Sequence, residues 1–445
     1  MTTGHRFREW EPTRLLPARE LSLDEQTLAQ HLRKSGRLDV TETRAGLEVG
    51  TTSWVGRIVI GGVTITVHPK IEAAPLVQLL RYAFGLERLS FIGHASFRSE
   101  ALAFQDILAS QLAHDAARLI ATGLHQDYLP READLSSPRG RIVFDDLGRA
   151  LSGGRAVLPC RYFERTDENL LNIALAAGLR LAARLVVSHK LAAELGRLAA
   201  VMDVGRQPLT ANLLDAARGQ LDRRTRRYAP LFDVVELLLE GSGISMEDGG
   251  GRMRLPGFLF DMNRFFQTLV SRLLNEHLNG CEVLDERRLS PMFHYATSLP
   301  RRSPPVLRPD FTIRSPGNEA GAVVDAKYRD LWERNLPSSM LYQLALYAHG
   351  SGDRRSVIVY PSLEPRADQE VVMTGPANRS ELARIYLRAL DLALLRRLLE
   401  APPGAKRERA LASLASRLAF GYPAEAAGET LPKSWRRSPA LQAAI

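Results

Sequence analysis

Apolar and polar residues alternate in the first part of the chain, and this period of two predicts short β-strands. Such runs begin at Leu47, Val55 and Val63, and the glycines between them favour tight turns. Upstream, the capping box Ser22-Leu-Asp-Glu25 marks the start of a short amphipathic helix. We therefore predict a small β-rich domain over residues 1–95.

Apolar residues recur at intervals of three and four in the middle of the chain, which is typical of amphipathic helices. This spacing covers Leu102–Leu119, Leu170–Leu195 and Leu231–Leu239. We therefore predict a helical middle domain over 96–248. The run Gly249-Gly250-Gly251 then marks a hinge or a domain boundary.

Helix-like and strand-like patterns alternate beyond these glycines, which indicates an α/β module. A long helix is predicted over Asp261–Leu278, and strands are predicted over Asp310–Arg314 and Ala322–Tyr328. We predict that a mixed sheet flanked by helices occupies 252–400 and that a basic tail occupies 401–445. The predicted fold class is thus multidomain, with β-rich, helical and α/β parts in chain order.

Charge changes this picture only modestly. Basic residues outnumber acidic ones by 59 to 50, and the net charge of +9 is compatible with a nucleic-acid partner. A cluster beside Tyr228 is a candidate DNA contact, although charge runs are usually solvated faces. The cluster consists of Arg223, Arg224, Arg226 and Arg227.

Lysine is rare among the cations, since it accounts for only six of them. None of the six follows a glycine, so the chain lacks the Gly-Lys end of a phosphate-binding P-loop. Any GTPase or ATPase of that class must be another subunit. The two cysteines match no zinc-site spacing. The sequence shows no signal-peptide pattern and no membrane-spanning apolar run, so we expect a cytoplasmic protein without a membrane partner.

The strongest chemical signal is Arg308-Pro309-Asp310, followed after fourteen intervening residues by Asp325-Ala326-Lys327. Residues i and i+2 of a strand share a face, and a hairpin would bring Asp310 to the same surface. Mg²⁺ takes oxygen ligands, so Asp310, Asp325 and the Ala326 backbone carbonyl are candidate ligands for Mg²⁺ or Mn²⁺. Lys327 is a candidate to position and activate the water that attacks a phosphodiester. The alternative is a surface hairpin with an ordinary Asp–Lys ion pair.

This spacing resembles that of the PD-(D/E)xK nuclease superfamily. Gln343 and Tyr347 lie four residues apart on one face of a predicted helix, and they look like the Gln-xxx-Tyr motif of RecB-like members. In that interpretation they orient the metal site or a phosphate. The alternative is a polar edge on an ordinary amphipathic helix.

Longer segments resemble the McrC family, the endonuclease subunits of the 5-methylcytosine restriction system. They are Phe260–Phe266, Leu307–Asp310, Val324–Tyr328 and Tyr342–Tyr347 in the nuclease part, and Val67–Ile71, Leu79–Leu86, Arg139–Ile142 and Glu164–Asp167 with Asn172 upstream. Gln267 stands where family members commonly carry a glutamate. Metal affinity could then be lower, or Glu276 or Glu282 could replace the missing carboxylate.

The resemblance implies a Mg²⁺-dependent DNA endonuclease that works with a McrB-like hexameric AAA+ GTPase on double-stranded, methylated DNA. It also implies that the N-terminal half docks into the GTPase ring, with Lys70 and Arg57 as candidate docking residues. Two alternatives stay open. The chain could be a GTPase-activating and DNA-clamping subunit with weak or no nuclease activity, or an autonomous RecB-like nuclease.

Overall fold

A computed structural model describes residues 3–71, 73–85, 104–146, 157–245, 252–254, 257–289, 292–295, 304–315, 318–329, 336–351, 354–375 and 380–421. The predicted hinge at 249–251 lies outside these ranges. Within them the helices are α1 Leu23–Lys34, α2 Ala73–Ala83, α3 Phe104–Thr122, α4 Leu170–Leu185, α5 His189–Met202, α6 Ala211–Gly219, α7 Ala229–Gly241, α8 Met262–His277, α9 Ser338–Gly350, α10 Leu392–Glu400 and α11 Ala405–Phe420.

The strands are β1 Thr3–Arg8, β2 Arg14–Leu16, β3 Leu38–Thr43, β4 Gly46–Thr51, β5 Trp54–Ile60, β6 Val63–His68, β7 Asp127–Leu135, β8 Arg141–Ile142, β9 Leu158–Thr166, β10 Gly243–Ser245, β11 Arg252–Arg254, β12 Gly257–Asp261, β13 Glu282–Asp285, β14 Phe311–Ser315, β15 Asn318–Ala326, β16 Arg355–Ser362, β17 Gln369–Thr374 and β18 Glu381–Asp391.

The N-terminal part is β-rich, as its period of two predicts. One sheet has the order β1-β6-β5-β12, and a second has the order β2-β4-β3. Apolar side chains from both sheets and from α1 form one core cluster. The capping box is present, with Ser22 accepting from the Glu25 backbone and Glu25 accepting from the Ser22 backbone.

Strand β12 belongs to the N-terminal sheet, although the sequence analysis placed residues 257–261 in the α/β domain. It pairs antiparallel with β5, so that Phe258 lies opposite Arg57. Gly56 and Gly257 have φ values of 135° and 151° at this junction. A Cβ at either position would meet the backbone of the opposite strand, so the close pairing depends on glycine.

The middle part is mainly helical, and α3, α4 and α7 pack against one another. It also contains a three-stranded antiparallel sheet with the order β7-β9-β8, which the prediction of a helical domain missed. The continuous apolar spacing over 170–195 is divided into α4 and α5. The break is stabilised by buried Asp106 of α3, whose carboxylate accepts from the backbone N–H groups of Val187 at 2.8 Å and Ser188 at 3.1 Å. Ser188 also caps the N-terminus of α5.

The C-terminal part contains a mixed sheet with the order β13-β14-β15-β16-β18-β17. Strands β15, β16 and β18 are parallel, whereas the outer pairs are antiparallel. One face packs with α9 through Val323, Leu344 and Ile358. The other joins a large cluster with α8 and α11, so β15 is buried on both faces and ends with Ala326 at the sheet edge.

The beginning of the predicted tail forms α11, which packs on α8 and on the sheet. Buried Arg417 of α11 reaches Asp368 with its Nε at 3.1 Å from a carboxylate oxygen. Residues 422–445 lie outside the described ranges. Among the helices of the described ranges, none has the length and apolar character needed to cross a membrane.

Candidate active site

The hairpin of β14 and β15 brings Asp310 and Asp325 together. Phe311 pairs with Val324 in this hairpin, so Asp310 lies at the position across from Asp325. The Ala326 backbone N–H donates to Asp310 Oδ2 at 2.8 Å. This bond fixes one oxygen of Asp310 against the end of the neighbouring strand.

Lys327 completes a compact group with the two aspartates. Its Nζ lies 3.0 Å from Asp325 Oδ2 and 3.7 Å from Asp310 Oδ2. The Lys327 backbone N–H donates to the Val359 carbonyl of β16 at 2.9 Å, which holds the residue just beyond the last ladder position of β15. The structure therefore places the three residues of the sequence motif around one point.

Burial and charge act on this group in opposite directions. Asp325 is 1% exposed, and burial followed by the charge of Asp310 raises its pKa to about 6, against the lowering effect of Lys327. Burial acts to lower the pKa of Lys327, but the charges of Asp325 and Asp310 outweigh it and raise that pKa. A cationic lysine is thus retained beside two carboxyl groups.

The donor set fits a hard divalent cation in part. Asp325 Oδ2 is buried, and its ion-pair partner is the Lys327 ammonium at 3.0 Å. An additional positive charge would compensate this oxygen. However, within the described ranges no group of three or more His, Cys, Asp or Glu residues is found, so the carboxylates here number two.

Gln267 reaches the same site from α8, and its Nε2 donates to Asp310 Oδ1 at 3.0 Å. The two glutamates considered as replacements lie elsewhere. Glu276 accepts from Arg272 Nε at 2.6 Å, and Glu282 pairs across the sheet with Arg314, 3.8 Å away. In this structure neither Glu276 nor Glu282 replaces the missing carboxylate at Asp310, because both side chains pair with arginines instead.

Gln343 and Tyr347 support the site from α9. Gln343 Nε2 donates to the Tyr347 hydroxyl at 2.7 Å, and that hydroxyl donates to the Arg308 carbonyl at 3.0 Å. Tyr347 is buried, and burial is the main cause that raises its pKa, with a smaller contribution from the charge of Asp325. The pair thus holds the segment that precedes Asp310.

Other candidate residues lie away from this group. Arg223, Arg224, Arg226 and Arg227 are exposed, and the last donates to the Gly123 carbonyl at 2.7 Å. Lys70 is exposed two residues after the end of β6, and Arg57 is partly buried in β5. Their roles in DNA contact and in docking stay predictions.

Glu9 and its contact with Tyr328 were not predicted from the sequence. Glu9 lies next to the end of β1, is 2% exposed, and accepts from the Tyr328 hydroxyl at 3.2 Å. Tyr328 directly follows Lys327. No local pattern could reveal a contact between residues 319 positions apart.

Fold and site together define an α/β protein with two carboxylates and a lysine at the edge of a mixed sheet. The family described as McrBC 5-methylcytosine restriction system component matches residues 49–361. The chain therefore belongs to this family, and the resemblance drawn from its motifs is confirmed.

One of two solved structures that match this chain shares its overall fold. The first is a chain of the refined half-complex from the tetradecameric assembly of Thermococcus gammatolerans McrB AAA+ hexamers with bound McrC. It is 19% identical with a TM-score of 0.60, and the match covers 89% of this chain and 99% of that one. A chain of the cryo-EM structure of the Thermococcus gammatolerans McrBC complex is 18% identical, with a TM-score of 0.44 and coverage of 62% and 88%. No curated protein matches the chain.

Proposed function

We propose that the chain is the Mg²⁺-dependent DNA endonuclease subunit of a McrBC-like, modification-dependent restriction system. The observation that carries this proposal is the convergence of Asp310, Asp325 and Lys327 within 3.7 Å contacts at one end of a buried strand. Membership in the McrBC family supports the restriction-system role. The reaction is hydrolysis of DNA phosphodiesters.

Asp310, Asp325 and the Ala326 carbonyl would hold Mg²⁺, and Mn²⁺ can take its place. When bound, the ion supplies positive charge that stabilises the charge developing on the phosphate and lowers the pKa of water. The buried carboxyl group of Asp325, which lies across the hairpin from Asp310, supports this assignment. Asp310 is held in place by the Ala326 N–H and by Gln267, so its carboxylate needs little reorganisation.

Lys327 positions the attacking water and donates to a phosphate oxygen. Its ammonium group lies between the two carboxylates, which keep it protonated. Gln343 and Tyr347 act indirectly. They hold the Arg308 carbonyl and thereby position the backbone that leads to Asp310. A shift of about 1 Å in such a group can lower a rate by roughly a hundredfold.

A McrB-like AAA+ GTPase hexamer is the proposed partner. The similar Thermococcus gammatolerans structure is described as McrB AAA+ hexamers with bound McrC, and this chain has no Gly-Lys P-loop of its own. The N-terminal β sheets, with Lys70 and Arg57, are the proposed docking region. Double-stranded, methylated DNA is the proposed substrate.

A GTPase-activating and DNA-clamping subunit with weak nuclease activity is the second candidate. It is favoured by Gln267, which contributes an amide where a third carboxylate would strengthen metal binding. In this reading the chain would still stimulate the partner and hold DNA.

The test compares the purified chain with and without its partner GTPase on methylated and unmethylated DNA, in Mg²⁺, Mn²⁺ or EDTA. Both DNA cleavage and GTP hydrolysis are measured. Lys327→Ala should lower cleavage by roughly a hundredfold or more while GTPase stimulation persists. Lys190→Ala, which removes an exposed lysine of α5, is the matched control and should leave both rates unchanged.

Three results would change the conclusion. Cleavage by Lys327→Ala at the parental rate would refute the assigned site. GTPase stimulation without cleavage in either metal would favour the clamping subunit. Cleavage at full rate without any GTPase would indicate an autonomous nuclease.

A further inference from the structure

A cavity of about 230 Å³ lies where β15 and β16 end and where the chain leaves β1. Ligands of open α/β sheets commonly bind beyond the carboxyl ends of parallel strands. The volume is below the range of roughly 300–1,000 Å³ that suits a drug-sized ligand. The cavity is therefore suited to one small ring system.

The residues that line the cavity include Glu9, a buried carboxyl group with one oxygen that has no hydrogen-bond partner among the described residues. Glu9 is 2% exposed, and its Oε1 accepts from the Lys70 backbone N–H at 3.1 Å and from the Tyr328 hydroxyl at 3.2 Å. Oε2 is buried and has no hydrogen-bond partner among the described residues. A buried oxygen of this kind favours a ligand that donates an N–H.

Flat and apolar groups form other parts of the lining. Trp10 and Tyr328 contribute aromatic rings, and Pro361 and Leu363 contribute apolar surface. The Arg329 guanidinium lies 5.1 Å from the centre of the Trp10 ring. Such surfaces stack well on nucleobases.

The charged lining favours an anionic ligand over a cationic one. Lys70, Arg329 and Arg366 outnumber the carboxyl groups of Glu9 and Glu364. A lysine or arginine of a protein partner would meet these cations, whereas a phosphate would be attracted. An N–H donor, a flat ring and a phosphate together describe a nucleotide.

We propose that this cavity binds one unstacked nucleobase of the DNA substrate, with the amino group of the base on Glu9 and a flanking phosphate near Arg329. The choice of DNA as the source rests on the proposed function. Because Tyr328 follows Lys327 directly, a base held here would fix the register of the strand near the proposed cutting site. Sequence preference would then arise partly in this chain.

The test uses six-nucleotide DNA strands that carry one cytosine or one thymine in an otherwise abasic backbone. Cytosine presents an amino group where thymine presents a carbonyl oxygen. Binding to the full-length chain is measured by tryptophan fluorescence at pH 8 in EDTA, where no metal-dependent cleavage occurs. We expect the cytosine strand to bind about tenfold more tightly, as befits one hydrogen bond to a charged group.

The Glu9→Gln variant should reverse the base preference, which is a more specific result than a loss of binding. The amide oxygen should keep the two donors that Oε1 accepts, so the amide NH₂ takes the place of Oε2 and becomes a donor. The preference should therefore reverse in favour of thymine. Glu48→Gln, at an exposed position of β4, is the matched control and should keep the cytosine preference.

Equal binding of the two strands, or an unchanged preference in Glu9→Gln, would overturn the proposal. Binding of GTP in place of the strands would overturn the DNA source and indicate a free nucleotide. Glu9-dependent binding of an arginine-rich peptide would overturn the nucleotide itself. The binding assay requires no cleavage. Cytosine-selective binding by a protein that does not cleave DNA would therefore support this proposal while contradicting the proposed nuclease function.

Discussion

Gln267→Glu tests the candidate site most directly, because it changes an amide into a carboxylate at fixed shape. In the parental protein Gln267 Nε2 donates to Asp310 Oδ1 at 3.0 Å. The substitution replaces this attraction by repulsion between two carboxylates. Without metal, the folded state should become less stable. With Mg²⁺ or Mn²⁺, the added carboxylate should become a ligand.

The size of the effect follows from this geometry. Loss of a hydrogen bond to a charged group costs about 1.5–3 kcal/mol, and two unit charges about 4 Å apart repel by up to ~4 kcal/mol at an effective dielectric constant near 20. Gln267 is partly exposed, and the pair can share a proton, so we expect a net loss of about 2–3 kcal/mol at pH 8.

The pH dependence has a definite sign. Repulsion raises the pKa of the carboxyl pair in the folded state above the unfolded value. The loss of stability is therefore small near pH 4 and grows as the pH rises through the raised pKa. Urea unfolding in EDTA at pH 5 and pH 8 measures it, and calorimetric titration with Mn²⁺ measures affinity, which should rise at least tenfold.

Gln30→Glu, at an exposed position of α1, controls for the added charge and should change neither quantity. If Gln267→Glu left both the stability in EDTA and the Mn²⁺ affinity unchanged, the site would not be a cation site. A gain in metal affinity together with faster cleavage would show that the Gln267 amide limits both metal binding and cleavage in the parental protein.

Three further predictions follow from single contacts. Burial raises the pKa of Glu9 to about 7 from 4.5, so the free energy of unfolding should fall by roughly 3 kcal/mol as the pH rises from about 4.5 to above 7. Urea unfolding of the parental protein measures this decrease, and its absence would contradict the burial of Glu9. Tyr347→Phe loses its bond to the Arg308 carbonyl and should lower cleavage about tenfold with a stability loss of about 1 kcal/mol; an unchanged cleavage rate would remove Tyr347 from the site. Gly56→Ala would bring a Cβ against the Phe258 carbonyl and should destabilise by about 3 kcal/mol in thermal unfolding, whereas Gly196→Ala, in an open position of α5, should not.

Periodicity was sufficient to predict several elements because each of them depends on local burial. The period of two gave β5 and β6, and the three-and-four spacing gave α3, α4 and α7. The same reasoning joined α4 and α5, since it could not foresee that Asp106 of another helix would accept from the backbone between them. Local pattern carries no information about such distant hydrogen bonds.

The chemical group around Asp310 was accessible to sequence reasoning for a related reason. Its members lie on one hairpin, and strand geometry relates residues i and i+2 without knowledge of the rest of the fold. Gln267 was accessible only through the family resemblance, because it reaches Asp310 from α8, 43 positions away.

The sequence by itself determined that the chain combines β-rich and helical segments, and it gave the Asp310–Lys327 motif and the resemblance to the McrBC family. The tertiary structure decided that β12 completes the N-terminal sheet and that Glu9 meets Tyr328 beside Lys327. The physical reason is that secondary structure and hairpins follow from neighbours in the chain. Pairing across 200 residues or more depends on packing of whole sheets and helices, which only the folded protein defines.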